Sequence, residues 1–487
     1  MRVSELIRGT PIMPTESDFE VSGLTHDSRR VVPGDLFVAI EGENFDGRDF
    51  ARDACRGGAV GVVGRGPVPA GISAPWLSVD DPRAWLGPLA ARIFGHPDRQ
   101  LTTVGVTGTN GKTTVISLLR SMLEAAGRPC AAVGTLGYQF KEELSAGERT
   151  TPEASDLVAL LRRAVDAGAS AAVMEVSSHA LELQRVNGLA FDVALFTNLS
   201  RDHLDFHRDL ESYFRAKEKL FRQLKSDGHA VVNVDDEFGR RLAGMPEGVL
   251  TFGSAGDVRV VEADLDEKGI ATVIASPRGE IQLRSPLLGR FNLDNLLAAV
   301  AAGEALRLPH QAMREGVAEC LPVAGRMEPV GGSQPFPVFV DYAHTDRALA
   351  AALTSLREFS GRRIMVVFGC GGDRDAGKRR LMGRVAGDLA DLAIASSDNP
   401  RKEDPRQILR EIEVGLQESR AATYEIVEDR RAAIRRAIAL ADEEWAVLVA
   451  GKGHEDVQIL RERRVRFSDR REIELALEER FGRRDVG

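Results

Sequence analysis

The chain has 487 residues, 43% hydrophobic and 28% charged, which is ordinary for a soluble α/β protein and leaves room for about three domains. Its 64 Lys plus Arg against 73 Asp plus Glu give a net charge of −9. That balance argues against a general nucleic-acid or anionic-membrane binder and still permits a local basic pocket. Cys55, Cys130, Cys320 and Cys370 are far apart and form no C-x-x-C pair, so a reducing cytosol is expected rather than a disulfide framework. No apolar signal core opens the chain and no apolar run has the length of a membrane helix, so a cytoplasmic location without a membrane span is expected.

Residues 1–98 read as a small α/β domain. Asp27-Ser-Arg29 precedes a turn and a strand in Val31–Ile40, Phe50–Cys55 is helical, and Gly57–Val63 is a further strand. Asp27, Ser28 and Arg29 fit a capped turn and a ligand loop equally well. Gly95-His-Pro-Asp98 reads as a linker, because Pro97 blocks helix continuation.

Residues 99–325 read as a nucleotide domain. The apolar run Leu101–Val106 is a buried strand, and Val115–Ala126 has helical spacing. Between them lies Thr107-Gly-Thr-Asn-Gly-Lys-Thr-Thr114. A strand, a glycine loop, Gly-Lys-Thr and a helix make a phosphate cradle. Backbone N–H groups and the helix N-terminus face the anion, Lys112 supplies charge, and the Thr113 hydroxyl can reach Mg²⁺. The strict pattern has Gly at position 106; here Val106 stands between Gly105 and Thr107, so the loop is a variant.

Further strands are read at Cys130–Gly134, Ala171–Val176 and Val193–Thr197. The last two end in Ser177-Ser-His-Ala180 and Asn198-Leu-Ser-Arg-Asp-His203. Parallel sheets bind ligands beyond the carboxyl ends of their strands, so these clusters and the phosphate loop converge on one crevice. Glu175 is a carboxylate in an apolar strand, for which Mg²⁺ ligation is the preferred reading over a bond to a neighbouring loop. His203 and His207 are four apart, but Leu204 stands where H-E-x-x-H needs Glu, so a zinc hydrolase is disfavoured. His203 suits a phosphate or Mg²⁺ site, and His207 reads as an ordinary polar residue or at most a substrate contact. Tyr213–Phe221 is an amphipathic helix on which Lys217 reads, by pattern alone, as a solvated lysine. Asn292 and Asn295 open a helix and suit either a cap or an adenine edge.

Residues 326–487 read as a third α/β domain. Its strands Phe336–Asp341, Ile364–Phe368, Leu392–Ala395 and Trp445–Ala450 also carry polar groups at their ends. These are Asp341-Tyr-Ala-His344, Asp373-Arg-Asp375, Asp398-Asn-Pro-Arg401 and Gly451-Lys-Gly-His-Glu455, a second binding edge facing the first.

Taken together, these motifs resemble the Mur ligases, the ATP-dependent amide-forming enzymes of peptidoglycan synthesis. The resemblance runs over nearly the whole chain. It rests on Asp27–Ala39, Thr107–Thr114, Glu175–His179, Thr197–Asp205, Lys217, Gly289–Asn292, Gly325–Glu328, Asp341–Thr345, Asp398–Arg401 and Gly451–Glu455. It implies three domains: a UDP-substrate-binding domain, a central P-loop-type ATPase sheet, and a Rossmann-like C-terminal domain that brings the amino acid.

The resemblance also implies roles. Gly108, Thr109, Asn110, Gly111, Lys112, Thr113, Thr114, Asn292, Arg326 and Asp341 would hold ATP. Thr113, Glu175, His203 and a carbamylated Lys217 would hold Mg²⁺. Lys112, Lys217 and His203 would be the catalytic set, with His203 a possible base. Ser28, Thr150, Thr151, Ser177 and Arg185 would contact UDP-N-acetylmuramoyl-L-alanyl-D-glutamate. Arg374, Asp398, Asn399, Arg401, Gly451 and Glu455 would hold meso-diaminopimelate. A monomer is expected, with no nucleic acid among its partners.

The implied reaction activates the D-Glu carboxylate as an acyl phosphate, which an amine then attacks. Alternatives are the same reaction with L-lysine, or another Mur or folylpolyglutamate-type ligase. An ATP-binding switch is a non-enzyme reading, but it needs no second substrate domain. Two departures from the family pattern stand out. Asp346-Arg347 replaces Pro-Asp, which is expected to blur the start of the following helix, and Gln184 lies one place late, with Leu183 in the usual position.

Overall fold

In the computed structural model every residue is described except 14–16, 43–44, 146, 148, 205, 245–247, 333, 420–422, 462 and 483–487. Glu43 and Asn44, which follow the Val31–Ile40 stretch in the sequence, and Asp205, the last residue of Thr197–Asp205, lie outside the described residues. The apolar run before the phosphate loop forms the strand Thr102–Thr107, near the middle of an eight-stranded sheet. Across that sheet the order is Val249–Phe252, Leu224–Asn233, Phe191–Phe196, Thr102–Thr107, Ala171–Glu175, Cys130–Gly134, Gly137–Phe140 and Glu143–Ser145. The first six are mutually parallel and the last two add as antiparallel edge strands. Strands buried on both faces read as continuous apolar runs, which is why the sequence disclosed the central ones.

A four-stranded parallel sheet of Gly23–Thr25, Asp35–Val38, Gly61–Gly64 and Trp76–Ser78 precedes it. A six-stranded sheet follows, with Val338–Asp341, Trp445–Ala450, Arg363–Phe368, Leu392–Ala395 and Thr423–Ile426 parallel and Glu328–Pro329 antiparallel at one edge. Helices cover the large sheets, so the chain is an α/β protein of three successive units. The parallel strands Leu224–Asn233, Val249–Phe252 and Thr423–Ile426 were not read in the sequence, and neither were two antiparallel elements. An antiparallel sheet of Arg259–Asp266, Gly269–Ser276 and Gly279–Ser285 packs against the central unit, and a hairpin pairs Val457–Leu460 with Arg463–Arg466. Their alternation is short and mostly polar, a weaker signal than a buried strand.

The helix after Asp341-Tyr-Ala-His-Thr345 corrects an expectation. It starts sharply at Asp346 and runs to Ser360, with the Thr345 hydroxyl accepting from Ala348 N at 3.2 Å. Thr at the N-cap and Asp in the first turn replace what Pro supplies elsewhere.

The first unit docks on the second through the helix Pro82–Ile93. Asn187 Nδ2 donates to Ala84 O at 2.8 Å, and Arg30 pairs with Asp156 at 2.8 Å. Gly87 has no room for a side chain: a Cβ there would lie 1.8 Å from the Asn187 carbonyl oxygen. Backbone cannot yield as a flexible side chain does. Gly87→Ala is therefore expected to cost about 1–3 kcal/mol, the usual range for overpacking. Chemical denaturation checks this, and an unchanged midpoint would contradict the docking geometry.

Candidate active site

The phosphate loop is braced by the neighbouring strand end. Thr109 N donates to Asn198 O at 2.8 Å, Asn110 N donates to Asn198 Oδ1 at 3.0 Å, and Thr197 Oγ1 donates to Asn110 O at 2.6 Å. Gly108 has φ 149° and a Cβ there would sit 1.9 Å from Thr197 Oγ1, so only glycine permits this approach. Gly111, at φ 88°, begins the helix Lys112–Ala125. Lys112 Nζ donates to the carbonyls of Gly108 and Thr109, at 3.0 Å each.

Lys217 is not a surface lysine. It is 1% exposed, its Nζ donates to Gly108 O at 2.8 Å, and it lies 4.4 Å from the Tyr213 ring centroid. Burial first, and then the Lys112 charge, push its pKa well below the usual lysine value, against an opposing pull from Asp202. Burial likewise lowers Lys112. Helical periodicity could not place Lys217, because the surface that covers it comes from the phosphate loop.

His203, at φ 54°, sits with its Nε2 3.5 Å from Asp202 Oδ2, and His344 of the third unit reaches the same oxygen at 3.7 Å. Burial pushes Asp202 up, but the hydrogen bond and charge of His344, then the charges of His203 and Lys378, prevail and leave it depressed. Burial pushes His203 down to about 4 despite Asp202. His207 is buried, pairs with Ser178 Oγ at 2.9 Å and stacks on Tyr213 at 4.9 Å.

Glu175 is 1% exposed; its Oε1 accepts from Thr135 N at 2.8 Å and its Oε2 from Thr135 Oγ1 at 3.1 Å. Thr113 Oγ1 is buried and has no hydrogen-bond partner among the described residues. Among those residues no group of three or more His, Cys, Asp or Glu could hold a metal alone. One orphaned hydroxyl, one carboxylate and one imidazole do fit a hard cation that completes its shell with phosphate oxygens and water.

A cavity of about 240 Å³ separates the second and third units. Asn110, Gly111, Asn295, Arg326, Asp341 and Arg347 are among its lining residues. Burial raises Asp341, whose two oxygens accept from Met327 N at 2.7 Å and Ala343 N at 2.8 Å. Arg326 lies 4.8 Å from the Tyr342 ring. Asn292 turns away: its Nδ2 donates to Leu288 O at 2.8 Å and its Oδ1 accepts from Asn295 Nδ2 at 2.9 Å. Asn295 therefore faces the cavity with Asn292 holding it. Arg347 also donates to Leu199 O across the boundary at 3.3 Å.

A cleft of about 1150 Å³ lies between the first and second units. Arg48, Arg65, Arg83, Arg149 and Arg185 line it together with Glu153. Arg185 Nε donates to Glu153 Oε1 at 3.1 Å, Arg149 to the same oxygen at 2.5 Å, and Arg83 to Oε2 at 3.1 Å. Three guanidiniums on one buried carboxylate leave two positive charges for an anion. Sequence reading found only Arg185, since this cluster is assembled from three distant segments. Thr151 is fully buried, with its hydroxyl bonded to Glu175 O at 2.8 Å and Ser177 Oγ at 3.4 Å. Ser177 caps the helix Ser178–Glu182, and Thr150 Oγ1 meets Thr135 Oγ1 at 3.3 Å. Ser28 begins a turn capped by Asp27, whose carboxylate Arg29 holds down at about 2. Gln184, at φ 55°, donates to Asp81 Oδ2 at 3.2 Å.

In the third unit Arg401, Asp398, Asn399 and Glu455 share one end of the sheet. Arg401 Nη1 donates to Gly372 O at 2.8 Å, and Asn399 Nδ2 donates to Glu455 Oε2 at 2.8 Å. Burial and the Arg374 charge lower Arg401, and Asp398 and Glu455 oppose them. Arg374 is exposed, donating to Asp373 O at 3.0 Å. A Cβ on Gly451 would lie 2.8 Å from Asp398 Oδ2. Lys452, within the same motif, was passed over in the sequence and lies at the centre of this group.

An anion loop, two lowered lysines and two flanking arginine sites define an acid-activating ligase class of site. Comparison with known proteins agrees. Family models match as the Mur ligase middle domain over residues 106–303, the Mur ligase glutamate ligase domain over 325–453, and the Mur ligase family catalytic domain over 20–93. A Synechococcus elongatus protein named UDP-N-acetylmuramoyl-L-alanyl-D-glutamate--2,6-diaminopimelate ligase is 46% identical, covering 99% of each chain. A solved structure titled with the same activity has a TM-score of 0.70 and 32% identity, covering 99% of each chain. MurF of Thermotoga maritima in complex with ADP shares the fold, with a TM-score of 0.67 and 20% identity over 94% of this chain and 99% of its own. The chain belongs to the Mur ligase family.

With its pKa near 4, the His203 ring is neutral at pH 7. Histidine NMR is expected to show its signal at the neutral shift down to pH 5, and a midpoint at 6.5 or above would contradict the burial argument.

Proposed function

We propose that this chain is an ATP-dependent ligase that joins meso-diaminopimelate to UDP-N-acetylmuramoyl-L-alanyl-D-glutamate, releasing ADP and phosphate in the cytoplasm. The observation that carries this reading is the convergence of Lys112 and Lys217 on the Gly108 carbonyl, in a chain that also holds an arginine-lined cleft. Full-length identity of 46% to a relative named for that activity supports the choice of substrates. On this reading residues 1–98, 99–325 and 326–487 are the UDP-substrate, ATP and amino-acid domains.

The chemistry follows from the charges. A free carboxylate has no usable leaving group. Its oxygen attacks the γ-phosphorus of ATP; the new O–P bond forms as the bond to the β-phosphate oxygen breaks, and ADP departs. Lys112 faces the negative charge that builds up in that transfer. Thr113, Glu175, His203 and carbamylated Lys217 would hold Mg²⁺, which would supply Lewis-acid polarisation of the phosphoryl group. The amine then attacks the acyl carbon, the C–N bond forms, and phosphate leaves with the C–O pair. His203 has a low pKa and is a weak proton acceptor, so phosphate or solvent takes the ammonium proton. The Glu153 cluster receives an anionic group of the nucleotide substrate, and Asn295, Arg326 and Asp341 receive the ATP base and sugar.

The depressed pKa of Lys217 favours the neutral amine, the form that adds carbon dioxide to give a carbamate. Lys217→Ala is expected to lose activity by about 10²-fold or more, in the range for removing one electrostatic element, with partial recovery in added short-chain carboxylates. Wild-type turnover in that variant would exclude a carbamate at this position.

The amino-acid choice rests on Arg401. The distal carboxylate of meso-diaminopimelate can take two parallel bonds from a guanidinium, and lysine leaves that cation unmatched. A product assay with meso-diaminopimelate, L-lysine and L-ornithine in parallel is expected to favour the first strongly. Arg401→Ala is expected to raise KM for it and remove most of the preference. Equal kcat/KM for lysine in the unmodified chain would refute the substrate assignment.

A further inference from the structure

Lys452 has no solvent exposure, and a buried ammonium must be fully paired. Its three donors are spent on Asn399 Oδ1 at 3.1 Å, Glu455 Oε2 at 3.0 Å and Val457 O at 2.7 Å, with Asp398 Oδ1 at 3.8 Å. Two of these partners belong to the proposed amino-acid site. The third begins the strand Val457–Leu460, which leads back to the same site. Ile459 N donates to Asn399 Oδ1 at 2.9 Å, and Gln458 Nε2 donates to Asp398 O at 2.7 Å. Arg401 N donates to Ile459 O at 3.1 Å, and Arg461 N donates to Arg401 O at 2.7 Å. Arg401 has φ 52°, a left-handed conformation that a non-glycine residue keeps only when its surroundings hold it there. Those strand bonds are what holds it.

We infer that Lys452 is the positioning residue of the amino-acid site, locking Asn399, Glu455 and the Val457–Leu460 strand in one register and thereby aiming Arg401. It does not touch the substrate. It commits Glu455 Oε2, shared with Asn399 Nδ2, and leaves Oε1 with no donor among the described residues for an incoming ammonium. The ligand class served is an amphoteric diamino dicarboxylate, with Arg401 taking a carboxylate and Glu455 an ammonium. This inference rests on the proposed amino-acid substrate.

The test is steady-state kinetics of Lys452→Met in the full chain, varying each substrate separately. A misaimed clamp loses about ten- to a hundredfold in the affinity it sets, so KM for meso-diaminopimelate is expected to rise at least about tenfold. Its preference over L-lysine is expected to fall by a similar factor. KM for ATP and for the UDP-dipeptide is expected to stay within about twofold. A merely structural role would instead lower the fraction of active enzyme with every KM unchanged, or shift all of them together, and either result overturns the inference. Should Lys452→Met fail to fold, Gln458→Ala decides: it loosens the same strand from outside, and KM for meso-diaminopimelate must still rise selectively. Unchanged KM in that variant also overturns it. Failure of the unmodified chain to prefer meso-diaminopimelate would count against the proposed function instead.

Discussion

A buried lysine and a half-buried one share one carbonyl oxygen, and much of the central unit follows from that crowding. Lys112 and Lys217 both donate to Gly108 O, and the Lys112 charge, after burial, weakens the hold of Lys217 on its proton. Two ammonium groups on one carbonyl are stable only with anions near them or with one amine neutral. The loop that carries Gly108 must also pass within touching distance of Thr197, which is why glycine stands there. On the proposed reading, phosphate binding and the reactivity of Lys217 are two expressions of the same desolvated pocket.

Around that pocket the three units contribute complementary chemistry. The first and second units enclose a cleft whose deepest feature is Glu153 under three guanidiniums. The second and third meet at Asp202, flanked by His203 from one side and His344 from the other, and at the Arg201–Asp375 pair at 3.0 Å. Boundaries made of such polar contacts are those expected of units that change their relative position during turnover. On the proposed mechanism water must be excluded while an acyl phosphate exists, and these contacts join the unit that carries Arg401 to the one that carries the phosphate loop.

In the third unit the proposed amino-acid site is supported from behind. Arg401 is half-buried and strained at φ 52°, and its direction is set by backbone pairing with a hairpin rather than by its own side-chain bonds alone. Lys452 underlies both. A fully buried charge serves here as a fixed point from which polar side chains are hung, a use that offsets its desolvation.

The sequence by itself determined the central parallel strands, because their apolar runs have only one comfortable environment, but not the less buried Leu224–Asn233 and Val249–Phe252 beside them, and it marked the phosphate loop, because Gly-Lys-Thr at a helix start has no bland purpose. It also marked the strand-end clusters of the third unit through their dense polar residues. What only the tertiary structure decided was burial. Lys217 looks solvated on its own helix and is sealed by a loop 109 residues earlier. Asn292 and Asn295 look equivalent, yet packing turns one inward and the other to the cavity. The Glu153 cluster joins residues 83, 149, 153 and 185, which no local period connects. Charge, pKa and donor direction depend on what covers a group, and that cover comes from chain that is distant in sequence.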